Sequence, residues 1–466
     1  MKRIALRSSR RSISTVVAAV IIIAIIAVVG VLSVYLFDPS LFGISNTTTI
    51  VFGATLSMTG NLNAFGAEQN WTLTYAINYV NSLGGIPLSN GTHAKIKLVV
   101  LNDASDAATA SSNLNALITT YHADIIMGEL GGVQDSTAQQ FASANQILYI
   151  GPVYISSYKT CTNCANSWIF APFENETNEA HVFLNYFHSV DPSTSSHNVT
   201  IAFFGEGDPA ALANNNAGEA YARQLGYTVC TCSVLNFAPG PGSQTAMQNF
   251  ISAAKSAGAE AVYGLPLPPD ATLMLQTAQQ LGYTPQAWLL TRGTAVAPFA
   301  LTALGGLGNE SAGVFSAFPW DPAVPYQGSI LGHKVNNSQI VSDYEKATGQ
   351  LPTLEGVYYT QVLVAVDAIA AAGNLSSTAI RNELRSMTFE TPMGTVNFTP
   401  GGQWMQSDAS ILLMQWQNVV KNGQTQQVLQ ILEPTSIATT NYVIYPFSYQ
   451  NAQNSATQTH MSWPPT

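Results

Sequence analysis

Four cysteines carry the most recognisable chemistry in this 466-residue chain, arranged as Cys161-Thr-Asn-Cys164 and Cys230-Thr-Cys232. Cys161 with Cys164 could close a small disulfide loop. The one-residue gap at Cys230 strains a bridge, so cross-pairing between the clusters or free thiols remain open. A four-thiolate zinc site has the right ligand chemistry, but the second half is tighter than the usual spacing of about two to four residues. A redox C-x-x-C would open a helix after a strand, and this one lies in a polar stretch instead. No metal or cofactor is expected. The chain lacks G-x-S-x-G, H-E-x-x-H and P-loop motifs, and its seven His do not cluster with carboxylates at ligand spacing. It is read as a non-enzyme, with Glu345 and Glu355, or Asp103 and Asp106, as solvated carboxylates rather than an acid/base pair.

Binding chemistry is better represented. Ser57-Met58-Thr59-Gly60 is a polar turn after an apolar run, and its hydroxyls can face a ligand. Met127 to Gln134 reads MGELGGVQ, a strand-to-helix loop whose Gly131 and Gly132 expose backbone N–H groups near a helix start, either an anion cradle or a tight turn. Glu206 and Asp208 follow another apolar run, and Pro209 suits a first helical position, so Asp208 reads as a helix cap or as a cleft acceptor. Arg292 is a lone cation next to Gly293-Thr294.

Composition bounds the partners. Lys and Arg number 16 against 26 Asp and Glu, a formal charge of −10, and only 9% of residues are charged against roughly 25% in ordinary globular proteins. No basic stripe is left to neutralise a phosphate backbone, so nucleic acid is excluded as a partner. So few charges would also keep the surface nearly constant as carboxylates protonate, which suits an acidic exterior. Residues 1–12 oppose the acidic balance with Lys2, Arg3, Arg7, Arg10 and Arg11, and removing those charges takes the formal −10 to −15. An uncharged apolar run follows within residues 13–37, long enough at about 1.5 Å per residue to cross a ~30 Å hydrocarbon layer. Cations before it and none soon after place the N-terminus in the cytoplasm and the bulk of the chain outside the cell membrane. About nine Asn-x-Ser/Thr sequons are consistent with N-glycans there, although a chain this rich in Asn, Ser and Thr would show on the order of six by chance.

The elements that must position these loops alternate. Past the linker 38–48, strands are predicted at Thr49–Leu56, Ile96–Leu101, Ala123–Met127 and Ile147–Ile150, with helices at Gly66–Leu83, Ala107–Thr120 and Ser136–Asn145 between them. The alternation restarts with helix Thr177–Ser189 and continues through strands Val199–Phe204, Tyr227–Leu235, Ala261–Tyr263 and Ala287–Leu290. Two strand–helix blocks in series predict an α/β chain with two parallel-sheet domains.

The residues carry a resemblance. TIVFGATLSMTGNLNAFG, AINYVNSLGGI, DIIMGELGGVQDSTAQQFASANQILYIGP, VTIAFFGEGD, EAVYGLPLPPDATLMLQTAQQLGY, GVYYTQVLVAVDAIAAAG and MGTVNFTPGG, in that order, resemble type I periplasmic binding proteins, notably the branched-chain amino-acid binding branch. The start, RRSISTVVAAVIIIAIIAVVGV, resembles archaeal pilin-like class III signal peptides, with the matching cut between Ser12 and Ile13; an uncleaved anchor is the alternative. The resemblance implies two doubly wound parallel-sheet lobes joined by three hinge crossings near Phe170, Phe318 and Glu390, plus an N-terminal transmembrane helix. Lobe 1 would comprise 49–170 and 318–390, lobe 2 171–317 and 391–445, with 446–466 a polar tail. It implies an extracellular, membrane-tethered solute-binding protein that delivers a small solute to an ABC permease. A sensory module or a pilin-like surface protein are the other readings. Matched positions put Ser57, Phe65 as an aromatic lid, Gly131, Gly132, Val133, Gln134, Val153 and Tyr154 on one wall of the cleft. Asp208, Leu265, Pro266, Arg292 and Thr294 fall on the other, and Trp320 lines the cleft or braces a hinge. The hydroxyls that hold an amino acid's α-carboxylate in that branch are missing at Gly132 and Ile155. The acid that would hold the ammonium matches the neighbourhood of Gly293-Thr294, and Arg292 next to it would repel an ammonium group. An anionic or neutral polar solute, such as an organic acid, an amide or a short peptide, is therefore expected at least as much as an amino acid.

Overall fold

The computed structural model describes residues 47–152, 167–173, 176–190, 198–238, 242–295, 311–398, 411–421, 423–448 and 451. The expected membrane span, the Ser12–Ile13 bond, Val153, Tyr154, Cys161 and Cys164 lie outside them. Among the described residues no single helix is long and apolar enough to cross a membrane.

Strands β1 (Thr47–Leu56), β2 (Ile86–Pro87), β3 (His93–Asn102), β4 (Ile125–Met127), β5 (Leu148–Ile150) and β6 (Ile169–Phe170) form a sheet in the order β2-β3-β1-β4-β5-β6. All pairs are parallel except β2 with β3. Helices α1 (Asn63–Ser82), α2 (Ala107–Thr119) and α3 (Gly132–Asn145) connect the strands. Covering both faces is what lets β1 read as a continuous apolar run rather than an alternating one. The chain then crosses to α4 (Glu176–Val190), β7 (Thr200–Gly205), α5 (Pro209–Gln224), β8 (Thr228–Val229), α6 (Ser243–Ser256), β9 (Ala261–Leu265), α7 (Pro268–Gln280), β10 (Ala287–Leu290) and β11 (Val314–Phe318).

It returns to the first body with β12 (Gln327–Ile330), β13 (His333–Asn336), α8 (Asn337–Thr348), α9 (Glu355–Ala372), α10 (Ser377–Ser386), β14 (Thr388–Thr391) and β15 (Gly394–Asn397). Helix α9 is buried over most of its length and packs with α1 against the first sheet. Finally β16 (Leu412–Lys421) and β17 (Gln424–Glu433) complete the second sheet, in the order β17-β16-β11-β10-β9-β7-β8, with β16 and β17 antiparallel additions to a parallel core. Each sheet is covered on both faces by its own helices, around separate apolar cores. The result is the α/β fold with two parallel sheets that the alternation predicted.

Three boundaries differ from expectation. The third crossing lies after Phe398 rather than near Glu390, because the β14/β15 hairpin seats Phe389, Val396 and Phe398 in the first core. The tail is not polar throughout, since Phe447 is buried in the second core and its N–H donates to Gln286 O at 2.7 Å. The expected strand Tyr227–Leu235 shortens to β8, because Cys230 and Cys232 are disulfide-bonded to each other and turn the chain before pairing resumes at Val234. That bridge corrects the reading that such close cysteines would pair elsewhere or stay free; their Cα atoms are 5.1 Å apart, an ordinary disulfide span.

A fifth apolar cluster joins the lobes. It gathers Phe173 and Phe318 at the first two crossings with Leu62, Phe65 and Tyr358 of the first body and Leu412 and Met414 of the second. Trp320, beside the second crossing, is buried in it and donates its indole N–H to Asn337 Oδ1 at 3.2 Å. A Cβ on Gly356 would lie 2.1 Å from that indole nitrogen, so the helix can pass the ring only as glycine. Trp320 therefore braces the hinge.

Candidate functional site

In an open parallel sheet, ligands meet the carboxyl ends of strands where the order reverses. Strand β1 has β3 on one side and β4 on the other, and β7 has β8 and β9. The loops at these two switch points are Ser57–Gly60 with Gly128–Gly132, and Glu206–Asp208 with Pro266–Leu267. The two bodies meet here. Helix α3 touches α5, and a Cβ on Gly132 would sit 2.3 Å from Asp208 Oδ1. A side chain at 132 cannot coexist with this approach, which gives the paired glycines a second function besides exposing N–H groups.

The first wall is a carboxyl pair. The Ser57 hydroxyl donates to Asp103 Oδ1 at 2.8 Å, Thr55 Oγ1 donates to Asp103 Oδ2 at 3.0 Å, and the Ser57 N–H donates to Glu129 Oε2 at 2.9 Å. Burial, and after it the adjacent Asp103, raise the Glu129 pKa well above the usual carboxylate range. Asp103 is fully buried, against its expected solvated place; it receives the hydroxyls of two β1-end residues. Ser57 is buried as well, and its hydroxyl proton is committed to Asp103 rather than offered to a solute. Phe65, expected as a lid, is packed in the hinge cluster instead. Gln134 is buried and Val133 exposed, on the first turn of α3.

The second wall is organised by one guanidinium. Asp208 Oδ1 accepts Ala210 N at 3.0 Å and Ala211 N at 3.1 Å, capping α5, while Oδ2 accepts Arg292 Nη1 at 2.5 Å. Asp208 is thus the helix cap of one reading, and its second oxygen pairs with a cation of its own lobe. Burial alone would raise its pKa, but Arg292 and the two N–H groups hold it below the usual range. Arg292 itself sits at φ 60°, a left-handed conformation costing an L-residue roughly 1–2 kcal/mol, and directs its side chain inward to the carboxylates. Glu206 accepts the N–H of Leu267, and burial pushes it up to about 8 although Arg292 pulls the other way. Glu179 of α4 accepts Thr291 Oγ1 at 2.7 Å and Asn214 Nδ2 at 2.9 Å, and burial raises it to about 7. Asp270 is raised by burial too.

These contacts correct three expectations. Arg292 is not a free cation that repels an ammonium group, because Asp208 balances its charge. The Thr294 hydroxyl is turned inward, donating to Leu290 O at 2.9 Å with Ser316 Oγ 3.0 Å away. Leu265 is buried, and Pro266 contributes its carbonyl to Gly293 N at 3.0 Å, so this loop is stitched to the Arg292 turn rather than carrying an aromatic contact. Among the described residues the arrangement places one guanidinium, Arg292, on the second wall, and on both walls carboxyls whose pKa values burial raises.

The sequence matches the periplasmic binding protein family over residues 49–424. The chain belongs to that family. A periplasmic binding protein holds a solute and is not an enzyme. No curated protein matches the sequence significantly. Among solved structures, this periplasmic binding protein is similar to a leucine-binding protein of Thermotoga maritima, at 19% identity and TM-score 0.64 over 83% of this chain and 99% of that one. It is similar at 16% identity and TM-score 0.61 to a branched-chain amino acid transporter substrate-binding protein of Streptococcus pneumoniae in complex with isoleucine, over 82% and 100% of the chains. A solute-binding protein of an ABC transporter from Rhodopseudomonas palustris, in complex with 3,4-dihydroxybenzoic acid, aligns at 15% identity and TM-score 0.61, over 82% and 96%. At these identities the likeness concerns the fold.

Sequence reasoning missed Glu179, Asp270 and the Asp103–Glu129 pair. Glu129 lay inside a loop already singled out, and a carboxylate between a buried strand and a glycine pair was a usable signal. Glu179 had none, being one of several polar residues on an ordinary helix.

Proposed function

We propose that this chain captures a small polar or anionic solute between its two lobes and delivers it to the permease of an ABC importer, held outside the cell membrane by its N-terminal span. The observation that carries the reading is the meeting of Gly132 with Asp208 and Arg292 at the two switch points, where contacts to both lobes favour a closed state by differential affinity. A solute oxygen, from a carboxylate or an amide, finds donors in Glu206, which burial raises to about 8, and in the guanidinium. An organic acid, an amide, a short peptide or an amino acid held through its carboxylate all present such an oxygen. Among the described residues the neighbourhood of Thr294 supplies no acid free of Arg292 for an ammonium group, which favours a solute other than a plain branched-chain amino acid. Cleavage at Ser12–Ile13 would leave the apolar helix on the mature protein as its anchor.

Native mass spectrometry of the full-length protein purified in mild detergent, followed by small-angle scattering with each co-purified compound, tests the reading. A bound small oxygen-rich molecule and a smaller radius of gyration on its addition are expected. An apolar or polycationic ligand, or scattering insensitive to any compound that binds, would overturn it.

A further inference from the structure

A surface groove of about 880 Å³ on the first lobe, away from the interlobe site, is lined by Thr47, Leu88, Asn90, Thr92, Asn374 and Leu375 among others. Two of the chain's sequons, Asn90-Gly-Thr92 and Asn374-Leu-Ser376, meet in it. Their turns are tied together by Ser89 N donating to Gly373 O at 2.8 Å. The sequons are not equivalent in structure. Asn70 lies half-buried inside α1, whereas Asn90, Asn198 and Asn374 are exposed in loops or turns and Asn336 is exposed at the end of β13. Asn90 Oδ1 accepts both the Thr92 hydroxyl at 2.7 Å and the Thr92 N–H at 3.0 Å. Withdrawing charge from the carbonyl oxygen in this way makes the amide nitrogen's hydrogens more acidic. Asn374 accepts Ser376 N at 2.9 Å but commits an amide hydrogen to Ala372 O at 2.8 Å.

We propose that Asn90 is an acceptor of an N-linked glycan and that the first sugar lies in this groove. The inference rests on the reading that the lobes stand outside the cytoplasm. The donor is a lipid-phosphate-linked oligosaccharide handled by a membrane transferase. Asn90 Nδ2 attacks the anomeric carbon, the bond from that carbon to the phosphate oxygen breaks, the lipid phosphate leaves, and the amide proton passes to a base of the transferase. Leu88 and Leu375 suit the C–H face of a pyranose, while Thr92 and Asn374 offer hydrogen bonds to its hydroxyls.

Glycopeptide mass spectrometry of the full-length protein from its native membranes tests the assignment, alongside protease accessibility of the lobes in intact cells. A glycan on the Asn90 peptide is expected, absent at Asn70, lost in T92A and kept in T92S. Enzymatic release of the glycan should speed hydrogen exchange at residues 372–376, because the sugar no longer covers them. Unmodified Asn90 on lobes that proteases reach from outside would overturn the proposal and leave the solute-binding reading standing. Lobes inaccessible from outside would overturn this proposal together with the stated location. Unchanged exchange at 372–376 would remove the sugar from the groove.

Discussion

The two cleft walls solve the same electrostatic problem differently. Each buries carboxylates at a switch point, Asp103 and Glu129 in the first lobe and Asp208, Glu206, Asp270 and Glu179 in the second. The second lobe balances its acids with Arg292, so one carboxylate, Asp208, stays ionised. In the first lobe no cation faces the pair among the described residues, and burial with the like charge of Asp103 raises Glu129 instead. The same device recurs at the start of α9. There Glu68 accepts Thr353 Oγ1 and Leu354 N, Glu355 accepts Thr353 N at 2.8 Å, and burial raises both pKa values, with the charge of Glu68 adding to the rise at Glu355. A wall neutralised by an ion pair is sensitive to mutation. The acids that burial raises, on either wall, are sensitive to pH.

The largest expected effect follows from removing the one cation. R292A leaves Asp208 buried without its partner, and breaking a buried pair from one side costs about 3–5 kcal/mol. Chemical denaturation should show a loss of that order, whereas the R292M/D208N double variant should recover most of it because no lone charge is left. A double variant as unstable as R292A would mean that the guanidinium balances Glu206 and Glu179 as much as Asp208, and the contrast between the walls would fade.

The proton-held acids set the sign of the pH dependence. Glu206 is raised to about 8 and Glu179 to about 7, and burial brings Asp321 and Asp367 up to about 6. An unfolded glutamate titrates near about 4.3, so between that value and the folded one the native state binds more protons than the unfolded chain. Stability is therefore fully present below the unfolded value and falls as pH rises through the folded ones. Asp208 runs the other way, but only below its unfolded value of about 3.9. The melting temperature should be higher at pH 5 than at pH 8, in keeping with the acidic exterior that the sparse charge of the sequence suggests. E206Q keeps an acceptor for Leu267 N and should flatten the slope by up to ~1.4 kcal/mol per pH unit. Melting that worsens from pH 8 to pH 5 would contradict the protonated state assigned to these groups.

The parts of this architecture that local pattern encodes were legible. Apolar runs ending in Ser57, Glu206 and Leu265 and the Gly131-Gly132 loop marked strand ends, and strand ends at switch points are where the lobes meet. Asp208 beside Pro209 announced a helix start. Contacts between residues far apart in sequence were not legible. Glu179 reaches Thr291 across 112 positions and Glu68 reaches Leu354 across 286, and no spacing rule connects them. Glu355 looked like an exposed helix residue because the N-terminal turn of a helix is usually solvated; here α1 covers it. The hinge moved to beyond Phe398 for the same reason, since only the folded hairpin shows which core its aromatics enter.

The contact between the walls can be probed without touching either charge set. G132V introduces a side chain where even a Cβ would lie 2.3 Å from Asp208 Oδ1. Each lobe has its own core, so melting should change little, while closure is blocked. Affinity for the natural solute should drop at least about tenfold, or 1.4 kcal/mol, and scattering should report the open form even when the solute is saturating. Wild-type affinity in G132V would show that the lobes grip the solute without this approach.

The smallest effect belongs to Cys230–Cys232, which lies on the second lobe's far edge with no counterpart among the described residues of the first. The disulfide closes a loop across a sequence separation of only 2, so chain entropy predicts a stabilisation of about 1–2 kcal/mol. Cys230 is buried with Phe204 and Phe250, and that packing survives reduction because the thiol remains a small apolar group. Mild reductant should lower the melting temperature by a few degrees and leave solute affinity unchanged. If affinity fell with reduction, the turn after β8 would be transmitting to the Glu206 loop through the β7 pairing at Phe204 and Val234, and the second wall would depend on its edge as well as on Arg292.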